Sequence, residues 1–155
     1  MEEEVRRLAA DGAGAERIRL DSWTDDPAAV FQQARAVVTA SNSEGLSNVL
    51  VEAAACGAPL LTTDVSGARE VLDPSGECPD RIPAGEVYRG RGGFIVPVGD
   101  GGALLEGMRR LASDDALGAA CSEEARGRAL EAFSPQVCVG YFLAAIESII
   151  AGSHR

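Results

Sequence analysis

Apolar residues are spaced along this chain in two ways. Short contiguous runs recur at 36–40 (AVVTA), 59–63 (PLLTT) and 94–98 (FIVPV). Runs of this kind read as strands covered on both faces, as in a parallel sheet. Elsewhere the apolar positions recur at helical spacing. A first helix is predicted over 2–10, before the glycine-rich 11–14. Asp26, with Pro27 behind it, opens a second helix whose stripe is Val30, Phe31 and Ala34. A third spans 47–56 and is closed by Gly57, and a fourth, 67–72, stops at Asp73-Pro74. Leu104, Leu105, Met108 and Leu111 mark a fifth, and the alanine-rich 116–133 a sixth. Ser134-Pro135 opens the last, with Val139, Phe142, Leu143, Ile146, Ile149 and Ile150 along one stripe. Residues 17–20 alternate charge with Ile18 and Leu20 and read as one more short strand.

Strand, glycine turn, helix and strand over 36–63 make a βαβ unit, so the predicted fold is α/β: a Rossmann-like, mainly parallel sheet with helices on both faces. Ligands of such sheets collect at the carboxyl ends of the strands. Two stretches depart from ordinary patterning. Residues 48–56 contain no Lys or Arg and are apolar nearly all round, which predicts a helix buried by its neighbours. Yet Glu52 shares a stripe with Val49 and Cys56. A carboxylate taken out of water without a partner costs roughly several kcal/mol, so Glu52 needs hydrogen-bond donors or a wet cleft. The second stretch, 75–93 (SGECPDRIPAGEVYRGRGG), is rich in Gly, Pro and charge and has little pattern. It reads as a mobile surface loop, with a lid over the site as the other reading.

The chemistry concentrates between Ser41 and Pro59. Glu44 precedes the helix and stands eight positions before Glu52. At the helical rise their carboxylates lie about 8–10 Å apart. Between them the N–H groups of Gly45, Leu46 and Ser47 point out of a helix start, a natural anion site. An anion held by backbone donors and flanked by two hydroxyl-accepting carboxylates describes a diphosphate with a sugar at each end, a nucleotide sugar.

Composition narrows the picture. Net charge is −10 with pI near 4.5, and no Lys or Arg cluster stands out, which argues against nucleic acid as a partner. Cys56, Cys78, Cys121 and Cys138 are widely spaced and read as inert thiols of a reducing compartment. The single histidine, His154, lies in the terminal tail, so no metal site and no cofactor are expected. No uninterrupted apolar run approaches transmembrane length, and a cytoplasmic location is expected.

The stretch SEGLSNVLVEAAACGAPLLTTDVSGAREVL resembles the signature of the retaining GT-B glycosyltransferases of family 4: E-x7-E, a helix, a C-G-x-P turn and a D-V-x-G-x-x-E segment. Weaker similarity runs from about Glu3 to Ile150 and includes FIVPVGD, although Gly101 stands where the family usually has Pro. The resemblance implies that Glu52 holds the ribose of the donor and that Glu44, counted as the catalytic position, contacts the transferred sugar. Gly45, Leu46, Ser47 and Asn48 would complete the substrate-binding set. Trp23 falls near the family's base site but is read as a packing residue, and Arg69 and Glu70 as either ligand-facing or a surface ion pair. Residues 75–93 are more than the family usually needs there.

The resemblance further implies that 1–151 is part of a C-terminal, nucleotide-sugar-binding domain, with 152–155 a tail. The family's first two strands and its basic residues for the diphosphate have no counterpart here. In the strand order 3-2-1-4-5-6 those strands are central, so a strand at 17–20 would not neighbour 36–40. The expected partners are a nucleotide sugar, a sugar, lipid or other hydroxyl acceptor, and an N-terminal acceptor domain on another chain, through which the protein would lie peripheral to the membrane. The chain alone is expected to be inactive. The alternatives are a non-catalytic nucleotide-sugar-binding subunit or a truncated inactive fragment.

Overall fold

The structure is a computed structural model that describes residues 2–11 and 14–152. A four-stranded sheet in the order β1-β2-β4-β3 lies at its centre. β1 (Val37–Thr39), β2 (Leu60–Thr63) and β4 (Gly93–Val96) run parallel, with Val37 opposite Leu60 and Leu60 opposite Gly93. β3 (Tyr88–Gly90) joins β4 antiparallel, Tyr88 opposite Ile95. The helices are α1 (Glu2–Asp11), α2 (Pro27–Gln33), α3 (Asn48–Ala55), α4 (Ser66–Leu72), α5 (Gly101–Ser113), α6 (Asp115–Ala132) and α7 (Pro135–Gly152).

Alternation along the buried strands sorts the core into two layers. Leu60 and Ile95 pack with Leu50, Ala53 and Ala54 of α3, Ala68, Val71 and Leu72 of α4, and Ala125 and Ala129 of α6. Leu61, Phe94 and Val96 turn to the other face, against Ala103 and Leu111 of α5 and Cys121 of α6. The fold is therefore the predicted α/β sheet with helices on both faces. The starts of α2 and α5 are capped by carboxylates, the first as its sequence predicts. The Asp26 carboxylate accepts from the Ala29 N–H at 3.0 Å, and that of Asp100 from the Ala103 N–H at 2.9 Å.

Several expectations need correction. Residues 17–20 form no strand: a single 3-10 turn, Ala15–Arg17, leads into extended chain with Ile18 and Leu20 exposed. Alternation needs a neighbouring ladder to become a strand, because backbone N–H and C=O groups must find partners. Among the described residues none before Ser47 is buried. β1 is parallel as expected but only half-buried, since β2 flanks it on one side alone.

The 75–93 segment is not structureless. It contains β3, buries Cys78 and Ile82, and is tied down by polar groups. The Asp73 carboxylate accepts from the N–H groups of Glu77 and Cys78, both at 3.0 Å, and from the Tyr88 hydroxyl at 3.2 Å. The Arg69 guanidinium donates to the carbonyls of Pro79 at 2.9 Å and Asp80 at 3.2 Å.

α7 stands apart from the core. Its residues 138–151 are all exposed, so its apolar stripe lies open. The Asp115–Ala151 helical run is long and apolar enough, by length and composition, to cross a membrane. Within that run Glu147 is the one charged residue of α7. His154 lies outside the described residues.

Candidate functional site

The turn from β1 into α3 leaves the carboxyl end of the sheet, the end where open α/β sheets hold ligands. It is fixed from beneath. Thr63, the last residue of β2 and buried, donates from Oγ1 to the Ser41 carbonyl at 2.6 Å. Ser41 Oγ in turn donates to Glu44 Oε1 at 2.7 Å. Ser47, the residue before α3, is buried and makes no side-chain cap to the helix. The hydroxyls of Ser41 and, second, Ser47 hold the Glu44 carboxyl below the usual carboxylate range, against the opposing effect of desolvation. Glu44 Oε2 is shielded and has no hydrogen-bond partner.

A second contact presses on the same turn. Gly67, in the first turn of α4, lies so close to Gly45 that a Cβ there would run into the Gly45 carbonyl oxygen. Glycine is thus required for α4 to approach. At the far end of α3, Gly57 has a φ of +78°, the left-handed conformation that closes a helix.

The predicted site residues occupy one continuous turn and helix. Gly45, Leu46, Asn48 and Glu52 are exposed, Glu44 is half-buried, and Ser47 is turned inward. α3 corrects the expectation of burial all round: Leu50, Ala53 and Ala54 face the core while Val49 and Glu52 face solvent. Glu52 therefore keeps its hydration and needs no internal donor, which removes the burial argument made from the sequence.

Trp23 is 84% exposed and does not pack; its Nε1 donates to Asp25 at 3.2 Å. Arg69 pairs with Asp64 through two bonds of 2.7 Å, and the pair is largely shielded, so the guanidinium braces 78–80. Glu70 is exposed and gives its carbonyl to Arg128 at 2.8 Å. Among the described residues no group of three or more His, Cys, Asp or Glu is placed to hold a metal ion. The sequence reading missed Ser41 and Thr63. Their signal is faint: a hydroxyl three positions before Glu44, and a hydroxyl at the end of the next strand.

Chemically, the arrangement is a carboxylate with one oxygen committed to the protein and one left over, beside an exposed glycine turn at a helix start. The leftover oxygen suits a hydroxyl donor, and the turn suits a group that accepts from backbone N–H.

The chain is similar to known proteins over most of its length. The family model for glycosyl transferases group 1 matches residues 1–114. The capsular polysaccharide biosynthesis glycosyltransferase CapM of Staphylococcus aureus is 30% identical over 112 residues, 72% of this chain and 26% of that protein. The lipopolysaccharide core biosynthesis glycosyltransferase LpsE of Rhizobium meliloti is 23% identical over 93% of this chain and 38% of its own length. An N-acetylgalactosamine-N,N'-diacetylbacillosaminyl-diphospho-undecaprenol 4-alpha-N-acetylgalactosaminyltransferase of Campylobacter jejuni is 29% identical over 74% of this chain and 27% of itself. The chain thus spans well under half the length of these relatives. Sucrose-phosphate synthase from Thermosynechococcus elongatus shares the fold, with a TM-score of 0.74 at 22% identity over 97% of this chain and 34% of that one. This chain belongs to the group 1 glycosyl transferases.

Proposed function

We propose that the chain binds the donor of a retaining glycosyl transfer, a nucleoside-diphosphate sugar, in the manner of the family 4 GT-B enzymes. Glu52 accepts from the ribose hydroxyls, Glu44 from a hydroxyl of the transferred sugar, and Gly45, Leu46, Ser47 and Asn48 line the diphosphate. The observation that carries the reading is Glu44: Oε1 is held by Ser41 while Oε2, shielded and unpartnered, awaits a donor. A buried acceptor without a partner is costly, and a sugar hydroxyl would supply one.

In the proposed reaction the bond between the anomeric carbon and the diphosphate lengthens. Positive charge grows on the sugar ring and negative charge on the departing phosphate. Backbone N–H groups at the start of α3 would meet the phosphate, and the Glu44 carboxylate would stand beside the sugar, both fixed before the reaction begins. The acceptor is a hydroxyl of a sugar or lipid-linked sugar, the class named for the Campylobacter relative. A further domain would hold it against the anomeric carbon, worth roughly 7–11 kcal/mol in favourable cases. This chain by itself is thus proposed to bind donor without transferring sugar, on the cytoplasmic side where nucleotide sugars are made.

Calorimetry with a panel of UDP-, GDP- and ADP-linked hexoses tests the reading. One donor should bind, and Glu52→Gln should weaken it roughly five- to thirtyfold, because an amide accepts less strongly than a carboxylate. Equal affinities would remove Glu52 from the site, and no binding by the unmodified chain would sink the reading.

A further inference from the structure

Glu44 is anchored through two hydroxyls to the centre of the sheet. Thr63 Oγ1 holds the Ser41 main chain at 2.6 Å, and Ser41 Oγ holds Glu44 Oε1 at 2.7 Å. The residues between Ser41 and Glu44, Asn42 and Ser43, are exposed. From the far side α4 presses Gly67 onto Gly45 and fixes the main chain that follows Glu44.

The consequence falls on the other oxygen. A half-buried glutamate turns its free oxygen to water unless its rotamer is locked, because a shielded, unsatisfied acceptor costs free energy. Here Oε2 is shielded and unsatisfied. Ser41 is the group whose bond to Oε1 selects that rotamer.

We propose that Ser41 is a positioning residue, which locks the Glu44 carboxylate so that Oε2 meets the hydroxyl of the donor sugar. Ser41 does not touch the donor; it acts through Glu44, and the inference rests on the donor-site reading above. The surroundings make the test clean. The groups that set Glu44's acidity are the Ser41 and Ser47 hydroxyls and partial desolvation, with no charged side chain among them. Removing the Ser41 hydroxyl therefore removes the hydrogen bond that holds Oε1.

The experiment compares the intact chain with Ser41→Ala and Ser41→Thr, using UDP-glucose against UDP and GDP-mannose against GDP in calorimetry. The ratio of nucleotide-sugar to bare-nucleotide affinity isolates the contribution of the sugar. Ser41→Ala should lower that ratio about three- to tenfold, the worth of one hydrogen bond, and leave the bare nucleotide unchanged. Ser41→Thr, which keeps the hydroxyl, should restore it. In parallel, a carbon-13 NMR titration of Glu44 should show its pKa raised in Ser41→Ala and returned in Ser41→Thr. An unchanged ratio or an unmoved Glu44 titration in Ser41→Ala overturns the inference and leaves the donor site standing. Equal losses for nucleotide and nucleotide sugar mark a merely structural role and overturn it as well. If the unmodified chain binds neither ligand, the donor-site reading itself falls, and this inference with it.

Discussion

α3 and α7 are written in similar sequence and have opposite surroundings. Each carries one acid, Glu52 or Glu147, and no base, and each is otherwise mostly apolar. α3 seats Leu50, Ala53 and Ala54 in the core beside Leu60, Ala125 and Ala129. α7 leaves Phe142 68% and Ile149 70% exposed. Helical spacing shows which face of a helix seeks cover. It does not show where the cover comes from. α3 lies inside a βαβ unit, so the flanking strands bring the sheet to it within a few residues. α7 lies outside the sheet layers, and its residues 138–151 are exposed.

The largest expected effect tests this contrast directly. Leu50 is fully buried, and Leu50→Ala should cost roughly 2–5 kcal/mol through lost burial and the cavity left behind. Phe142→Ala removes a larger side chain, yet should stay within about 0.5 kcal/mol, as exposed substitutions do. Urea denaturation of both variants decides. A Phe142→Ala loss approaching that of Leu50→Ala would mean that α7 is covered in solution.

Next in size is the polar clasp, which orders a segment with little apolar content. Within 75–93, trypsin should cut the unmodified chain first at Arg81, which is exposed. Cleavage at Arg89 and Arg91 should lag, because they pair with Glu124 and Glu131, each at 2.6 Å. Arg69→Gln removes the brace on 78–80 and should speed cleavage at Arg81 roughly tenfold by raising the population of the open form. An unchanged rate would show that Asp73 alone holds the segment.

Acid is the mildest probe. Ser41 and Ser47 depress the Glu44 carboxyl, and the N–H groups of Ala103 and Gly85 depress that of Asp100. For a group whose folded pKa lies below its unfolded one, the stability is present above the unfolded value and is lost as pH falls through the folded value. With ordinary values of 4.5 and 3.8 for these two groups, the loss should begin as pH falls below about 5. Hydrogen exchange should register it around β1, α3 and α5. A first response in α7 would contradict the assignment.

Much of this was legible in the sequence because it is local. The strands around 59–63 and 94–98 and the cap at Asp26 follow from near neighbours in the chain. What was missed depends on distant ones. The support for Glu44 comes from Thr63 across a parallel pairing, and a parallel neighbour is always separated in sequence by its crossover. The order in 75–93 comes from Asp73 and Arg69, side chains that create no periodicity. Residues 17–20 misled in the opposite way, since two alternating apolar residues specify a face without a sheet to set it against. Glu52 misled because apolarity around a helix was taken for burial around it.

β1 has a consequence beyond the site. It borders the sheet with β2 on one side and, among the described residues, no strand on the other. Its three residues, Val37, Val38 and Thr39, carry neither charge nor proline. Proteins commonly guard such borders with lysines, prolines or bulges, because unpaired main-chain groups recruit strands from other molecules. During refolding at high concentration, strand exchange between molecules will therefore compete with folding here. Recovery of native protein should therefore rise as this chain is diluted.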